Sequence, residues 1–119
     1  MCMFDSLKIC KYSLYGGIEP HHLVEFLNFI TDWDIDLKEF MQVGERIFNL
    51  KRLYNVRCGI SRKDDTLPPR LLTHTRGEGR AANTLPHLGR MLNEYYKLRG
   101  WSEDGIPLSS KLKEVDLDV

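Results

Sequence analysis

Three cysteines have the most potential for metal chemistry in this 119-residue chain, and they stand at positions 2, 10 and 58. Their number is odd and no CxxC pair or Cys/His finger spacing occurs, so this chain alone encodes no zinc site. Cys2 and Cys58 are predicted to be small buried apolar residues. Cys10 differs because Asp5 precedes it in the segment Asp5-Ser6-Leu7-Lys8-Ile9-Cys10, although an aspartate near a cysteine is by itself a weak signal.

Two other polar groups are weaker candidates for chemistry. Adjacent residues on a helix point about 100° apart, so His21 and His22 cannot chelate one ion together and are predicted to form a polar helix start. Asp64 and Asp65 could form a carboxylate pair for acid–base work. A charged turn, in which aspartates bond nearby backbone N–H groups, is the stronger prediction. The same stretch offers two arginines for a partner domain or a cofactor phosphate, namely Arg57 and Arg62.

The charge balance gives no reason to expect a nucleic acid or an anionic membrane as partner, because 17 Lys and Arg residues offset 17 Asp and Glu residues. No apolar run approaches the roughly 20 residues that span a bilayer. The first ten residues, MCMFDSLKIC, lack the apolar core and cleavage site of a signal peptide. The expected location is therefore the cytoplasm.

The elements that position these residues are predicted to be helices. Apolar residues recur at helical spacing after Pro20, and a longer helix runs from about Leu37 to Tyr54 or Arg57. Asp36 is its predicted cap, and Gly59 fits the left-handed position just after its end. A glycine inside this helix, Gly44, suggests close approach of another helix. The predicted partner is the later helix that carries Leu88, Met91, Leu92 and Tyr95.

The second half of the chain is predicted to hold a long ordered loop and two more helices. Residues 59–83 show no periodicity. Thr84 is the predicted cap of the next helix, with Pro86 in its first turn and Gly100 after its end. Its apolar stripe is expected to be Leu88, Met91, Leu92, Tyr95 and Leu98, with Trp101 packing back on it and a short helix after Ser109 or Ser110. The predicted fold class is all-α, a single small multihelical domain, residues 1–119, of about four helices.

The stretch GERIFNLKRLYNVRCGISRKDDTLPPR, residues 44–70, and the segment FDSLKICKYSLYGGIEPHHL before it resemble the C-terminal end of the tungsten-containing aldehyde ferredoxin oxidoreductases. The resemblance extends more loosely through EYYKLRGWSEDGIP to the C-terminus and so covers nearly the whole chain. Those enzymes are several times longer, so the chain resembles a fragment of one of them.

The resemblance implies specific roles in the first segment, where the family carries a DxxGLC motif. Asp5 would accept hydrogen bonds from pterin N–H groups, and Ile9 would also contribute to the cofactor site. Cys10 would be the last of four thiolate ligands to a [4Fe-4S] cluster. Lys8 stands where the motif has glycine, which permits backbone angles that other residues avoid.

The resemblance also implies an enzyme that oxidises aldehydes to carboxylic acids and passes electrons to ferredoxin. Its cofactors would be a tungsten or molybdenum bis-pterin and one [4Fe-4S] cluster. The other cluster cysteines and the acid–base residues belong to missing N-terminal domains, so no catalytic residue is predicted here. The isolated chain is expected to be inactive and to carry no cofactor. An exposed apolar patch near Leu7, Ile9 and Tyr12 is expected to drive self-association.

A second hypothesis is a free-standing helical interaction module, derived from such an enzyme but acting without cofactor. Lys8 in the glycine position favours it slightly, and the retained Asp5 and Cys10 oppose it.

Overall fold

A computed structural model describes residues 1–117, so the last two residues of the predicted domain lie outside it. Within the described range every regular element is helical, which confirms the all-α prediction. Residues 1–117 form more helices than the expected four, because several are too short for a periodic pattern to reveal. The helices are α1 Cys2–Ser6, a 3₁₀ helix Lys11–Gly16, α2 Pro20–Thr31, α3 Leu37–Arg57, α4 Pro69–Thr73, α5 Leu88–Arg99 and α6 Ser109–Glu114.

The described residues divide into two compact units, the first formed by residues 1–51 together with residues 112–117, and the second by residues 52–111. The core of the first unit combines α1, α2 and the start of α3, and several half-buried residues pack against it. Its buried members are Phe4, Leu23, Val24 and Phe40, and its flanking residues are Met3, Leu7, Ile9, Ile18 and Ile35.

Both predicted ends of α3 are confirmed. The carboxylate of Asp36 accepts a hydrogen bond from the N–H of Glu39 at 2.7 Å, which satisfies one of the free donors at a helix start. At the other end Gly59 has φ +90°. The N–H groups of Gly59 and Ile60 donate back to carbonyls of the last turn, so α3 ends in a Schellman motif.

The predicted neighbour of Gly44 is wrong. A Cβ at this position would meet Met3 of α1, with the nearest atom at 3.4 Å, and not the helix that begins near Leu88. The sequence did not reveal α1 as the neighbouring helix, because its five residues are too few to show a periodic pattern. Gly44 does lie at a close helix approach, within the first unit.

Gly44→Leu is expected to destabilise the protein by roughly 1–3 kcal/mol, because the added side chain must displace Met3. Gly44→Ala meets only ordinary contact distances, so the gain in helix propensity, about 1 kcal/mol at most, should dominate. Thermal denaturation of both variants checks the pair. Equal stability of the two would mean that Met3 moves freely out of the way.

The region predicted as one loop, residues 59–83, contains a helix. Pro69 occupies the first turn of α4, where its missing N–H costs nothing, and this signal was present in the sequence. The next helix begins at Leu88, not near Thr84. Pro86 disfavours helical angles for the residue before it, so α5 starts only beyond the proline.

The apolar stripe predicted for α5 is only partly right. Its buried residue is Tyr96, with 2% of its surface exposed, whereas Leu98 is 84% exposed. Trp101 packs back as predicted, since its ring centroid lies 5.9 Å from that of Tyr96 and it is buried. Gly100 ends α5 at φ +66°, with the N–H of Trp101 donating to the carbonyl of Tyr96 in the Schellman arrangement.

Candidate functional site

The segment between Asp5 and Cys10 is a helix end of defined geometry. Lys8 has φ +60°, its N–H donates to the carbonyl of Asp5 at 3.1 Å, and the N–H of Ile9 donates to that of Phe4 at 3.0 Å. These two bonds are the Schellman motif, and the contact of Ile9 with the core around Phe4 is its usual hydrophobic partner. The position of Lys8 is therefore one that glycine suits, which gives the glycine of the DxxGLC motif a physical reason.

The turn leaves its two chemically active side chains accessible. Asp5 and Cys10 are both exposed, and Cys10 is a free thiol. The amine of Lys51, from α3, lies 4.0 Å from a carboxylate oxygen of Asp5 and 4.0 Å from the sulfur of Cys2. A fixed backbone thus presents a carboxylate and a thiol, with a cation beside the carboxylate.

Lys8→Gly is expected to stabilise the protein by about 1–2 kcal/mol, because a residue with a Cβ carries that cost in left-handed geometry. Lys11→Gly is the matched control, since Lys11 lies in the 3₁₀ helix and glycine there adds flexibility to the unfolded chain. Chemical denaturation should separate the two in opposite directions. A loss of stability in Lys8→Gly would show that the lysine side chain makes a compensating contact.

The expected apolar patch near this turn is only partly present. Leu7 and Ile9 are half-buried against the core of the first unit, and Tyr12 is exposed. Burial of the other two cysteines was also predicted: Cys2 is half-buried, but Cys58 is exposed. Cys58 follows the last residue of α3, where Gly59 turns the chain, so its side chain is not carried into a core.

A second polar cluster lies in the second unit, and sequence reasoning missed it. Arg52 has only 7% of its surface exposed and donates to both carboxylate oxygens of Asp65, at 2.9 and 2.6 Å. Its Nε donates to the carbonyl of Gly105 at 2.7 Å, and the hydroxyl of Tyr96 donates to Asp65. Its guanidinium also lies 5.1 Å from the ring centroid of Trp101, a cation–π distance.

The electrostatics of this cluster hold it in one protonation state. Burial opposes ionisation of Asp65, but the hydrogen bonds from Arg52 and Tyr96 outweigh it and lower the pKa of the carboxyl. Burial, followed by the bond to Asp65, raises the pKa of Tyr96 to about 12. Asp65 is therefore an anion and Tyr96 a neutral donor across the neutral pH range. This arrangement suits a structural ion pair better than acid–base catalysis.

The neighbouring charged residues also serve the local structure. The carboxylate of Asp64 accepts from the N–H of Ser61 at 2.8 Å, as predicted for a charged turn. Arg62 donates to Asn93 Oδ1 at 2.6 Å and to the carbonyl of Glu103 at 2.9 Å, so it holds the local structure together. Contact of Arg57 and Arg62 with a partner domain or a cofactor phosphate stays a prediction. Its guanidinium also lies 5.2 Å from the ring centroid of Tyr96.

The histidine pair is a helix start, as predicted. Nδ1 of His22 accepts from the N–H of Glu19 at 3.0 Å, and the imidazole rings of His21 and His22 lie against each other with centroids 3.9 Å apart and planes inclined by 38°. Among residues 1–117, no group of three or more His, Cys, Asp or Glu side chains is placed to hold a metal. No helix in that same range is long and apolar enough to cross a membrane.

A family model described as "Aldehyde ferredoxin oxidoreductase, domains 2 & 3" matches residues 1–117. The chain belongs to this family. Among its relatives, a tungsten-containing aldehyde ferredoxin oxidoreductase of Pyrococcus abyssi is 38% identical over 118 residues, which are 98% of this chain and 19% of that protein. The enzyme of the same name from Pyrococcus furiosus is 37% identical over 117 residues, 97% of this chain and 19% of its own length. The chain thus spans about a fifth of these relatives.

The family resemblance extends to a solved structure. The active-site complex BamBC of benzoyl coenzyme A reductase, bound to 1,5-dienoyl-CoA, superimposes with a TM-score of 0.67 and 28% identity. The match covers 84% of this chain and 14% of that one. In each of these relatives this fold forms a small part of a much longer polypeptide.

Proposed function

We propose that the chain is the C-terminal domain of a tungsten or molybdenum bis-pterin enzyme that oxidises aldehydes to carboxylic acids. In this proposal electrons leave through a [4Fe-4S] cluster to ferredoxin in the cytoplasm. Cys10 supplies one cluster ligand, and Asp5 and Ile9 contribute to the pterin site. The proposal rests above all on the exposed Asp5 and Cys10 flanking a Schellman turn in a member of this family.

The side chains present suit these groups chemically. A thiolate is a soft ligand appropriate to iron, and a carboxylate accepts N–H donors without offering any of its own. Cys10 and Asp5 are both exposed, so neither needs to leave a core to bind. The bound cofactors would supply the redox chemistry, and this chain would supply one ligand, one acceptor and the turn that fixes their spacing.

The chain by itself cannot complete such a site. A cubane cluster needs about four thiolate ligands, and Cys10 is the one ligand proposed in this chain. We therefore place the remaining ligands and the acid–base residues in the part of the enzyme that precedes it, and expect the isolated chain to be inactive.

The test is a hybrid in which this chain replaces the matching fifth of the Pyrococcus abyssi enzyme. Cys10→Ser is expected to remove the cluster, because a serine oxygen is a poor ligand for iron that prefers thiolate. Cys58→Ser is the matched control, since Cys58 is also exposed and should leave the iron and sulfide content unchanged. Asp5→Asn should lower the tungsten and pterin content while retaining iron.

Retention of a full cluster in Cys10→Ser would contradict the proposal. A hybrid that folds without iron or tungsten in any form, wild type included, would favour the free-standing interaction module.

A further inference from the structure

The outer face of α2 is apolar although it faces away from its own core. Phe29 is 93% exposed, Ile30 79% and Phe26 56%. At 3.6 residues per turn these three fall within about 100° of one another. The buried Val24 lies on the opposite side of the helix, and the buried Leu23 lies beside Ile30 at the edge of this arc. A group of large apolar side chains left exposed together on one face marks an interaction site.

Trp33, two residues beyond the end of α2, is a further large apolar residue left open to solvent, with 66% of its area exposed. The turn that carries it is fixed, because the side chain of Asn28 donates to the carbonyl of Ile35 at 2.7 Å and accepts from its N–H at 3.0 Å. The surface formed by Phe26, Phe29, Ile30 and Trp33, here called the α2 face, is thus presented on an ordered backbone. Little ordering entropy remains to be lost when a partner covers it.

From this face we infer a docking surface for the preceding domains of the same polypeptide, an inference that rests on the proposed function. The four side chains carry no charge, which is typical of permanent interfaces and not of weak electron-transfer contacts. About four-fifths of the length of each aldehyde ferredoxin oxidoreductase relative lies outside the part matched here. The partner surface should accordingly be apolar and permanently in place.

The size of the α2 face argues against a second copy of the chain as its occupant. From their exposed fractions the four side chains offer roughly 600 Å², whereas a stable dimer buries ~800 Å² on each partner. A contact within one polypeptide can be stable with a smaller buried area, because the chain itself holds the two surfaces at high effective concentration.

The experiment compares the isolated chain with the hybrid enzyme by hydroxyl-radical footprinting read by mass spectrometry. In the isolated chain the peptides that carry Phe29 and Trp33 should be oxidised rapidly. In the hybrid their oxidation should slow by at least about tenfold, as expected for the water-excluded core of an interface. Equal oxidation in both would overturn the inference.

Phe29→Asp provides a second readout. It should leave the melting temperature of the isolated chain within about 3 °C of wild type, as for most surface substitutions, and abolish the protection of the Trp33 peptide in the hybrid. Leu98→Asp is the matched control, an equally exposed apolar residue on α5, and should retain that protection. An equal loss in both variants, or a dimer of the isolated chain that Phe29→Asp dissociates, would overturn the assignment.

This outcome is separate from that of the proposed function. The proposed function fails if Cys10→Ser keeps its iron, whereas the docking surface fails if the α2 face stays open to radicals in a hybrid that contains the cluster.

Discussion

Asp65→Ala is expected to destabilise the second unit by about 3 kcal/mol, the lower end of the usual cost of removing one partner from a buried ion pair, because 24% of the Asp65 side chain is exposed. The loss is large because Arg52 remains charged and has 7% of its surface exposed. Its Nη1 and Nη2 both donate to Asp65, and the hydroxyl of Tyr96 loses its acceptor as well. Urea denaturation, followed by circular dichroism, measures the change.

Asp64→Ala is the matched control for this prediction. Asp64 is adjacent and exposed, and its carboxylate bonds Ser61 in a local turn, so its loss should cost about 0.5–1.5 kcal/mol. Similar losses in the two variants would mean that the buried pair contributes no more than a surface turn.

The same cluster should make the stability of the folded protein decrease at both acidic and alkaline pH. The pKa of Asp65 is lowered in the folded protein, so its contribution to stability is present above its ordinary value of 3.8 and disappears as the pH falls through the lowered value. The pKa of Tyr96 is raised from 10.0 to about 12, so its contribution is complete below pH 10 and disappears as the pH rises towards 12. Denaturation measured as a function of pH should show both losses of stability, and Tyr96→Phe should remove the loss at alkaline pH.

Gly105→Ala is expected to destabilise the protein by roughly 2–5 kcal/mol. Gly105 has φ +76°, where a residue with a Cβ carries a cost of about 1–2 kcal/mol. The added methyl would also overlap Nη2 of Arg52 and lie 3.0 Å from Cζ and from the hydroxyl oxygen of Tyr96, and overpacking of this kind adds about 1–3 kcal/mol. Thermal denaturation gives the sum.

Gly79→Ala separates the two contributions to this change. Gly79 has φ +90°, but a Cβ there meets nothing within 4 Å, so the variant should show the backbone cost alone. If Gly105→Ala were no worse than Gly79→Ala, the Arg52 cluster would have room to shift, and the close packing around Gly105 would not limit stability.

The ends of these helices could be predicted from the sequence, because each helix end depends on a few neighbouring residues. Asp36 caps α3, and Gly59 and Gly100 end their helices in left-handed geometry, since caps and Schellman motifs depend on residues within one turn. The segment from Asp5 to Cys10 belongs to the same class. Its aspartate, its left-handed position at Lys8 and its cysteine lie within six residues, so the resemblance to the family motif could be read directly.

Pairings between distant residues were decided only by the tertiary structure. Arg52 contacts Asp65, 13 positions later in the chain, and Gly105, 53 positions later. No local pattern shows which of the arginines will be buried against a carboxylate. The tertiary structure alone also showed that Gly44 lies against Met3. It likewise showed that Phe29, an apolar residue typical of a core, lies on the surface. Periodicity shows that a helix has apolar residues, but which of them become buried depends on the other surfaces that reach it.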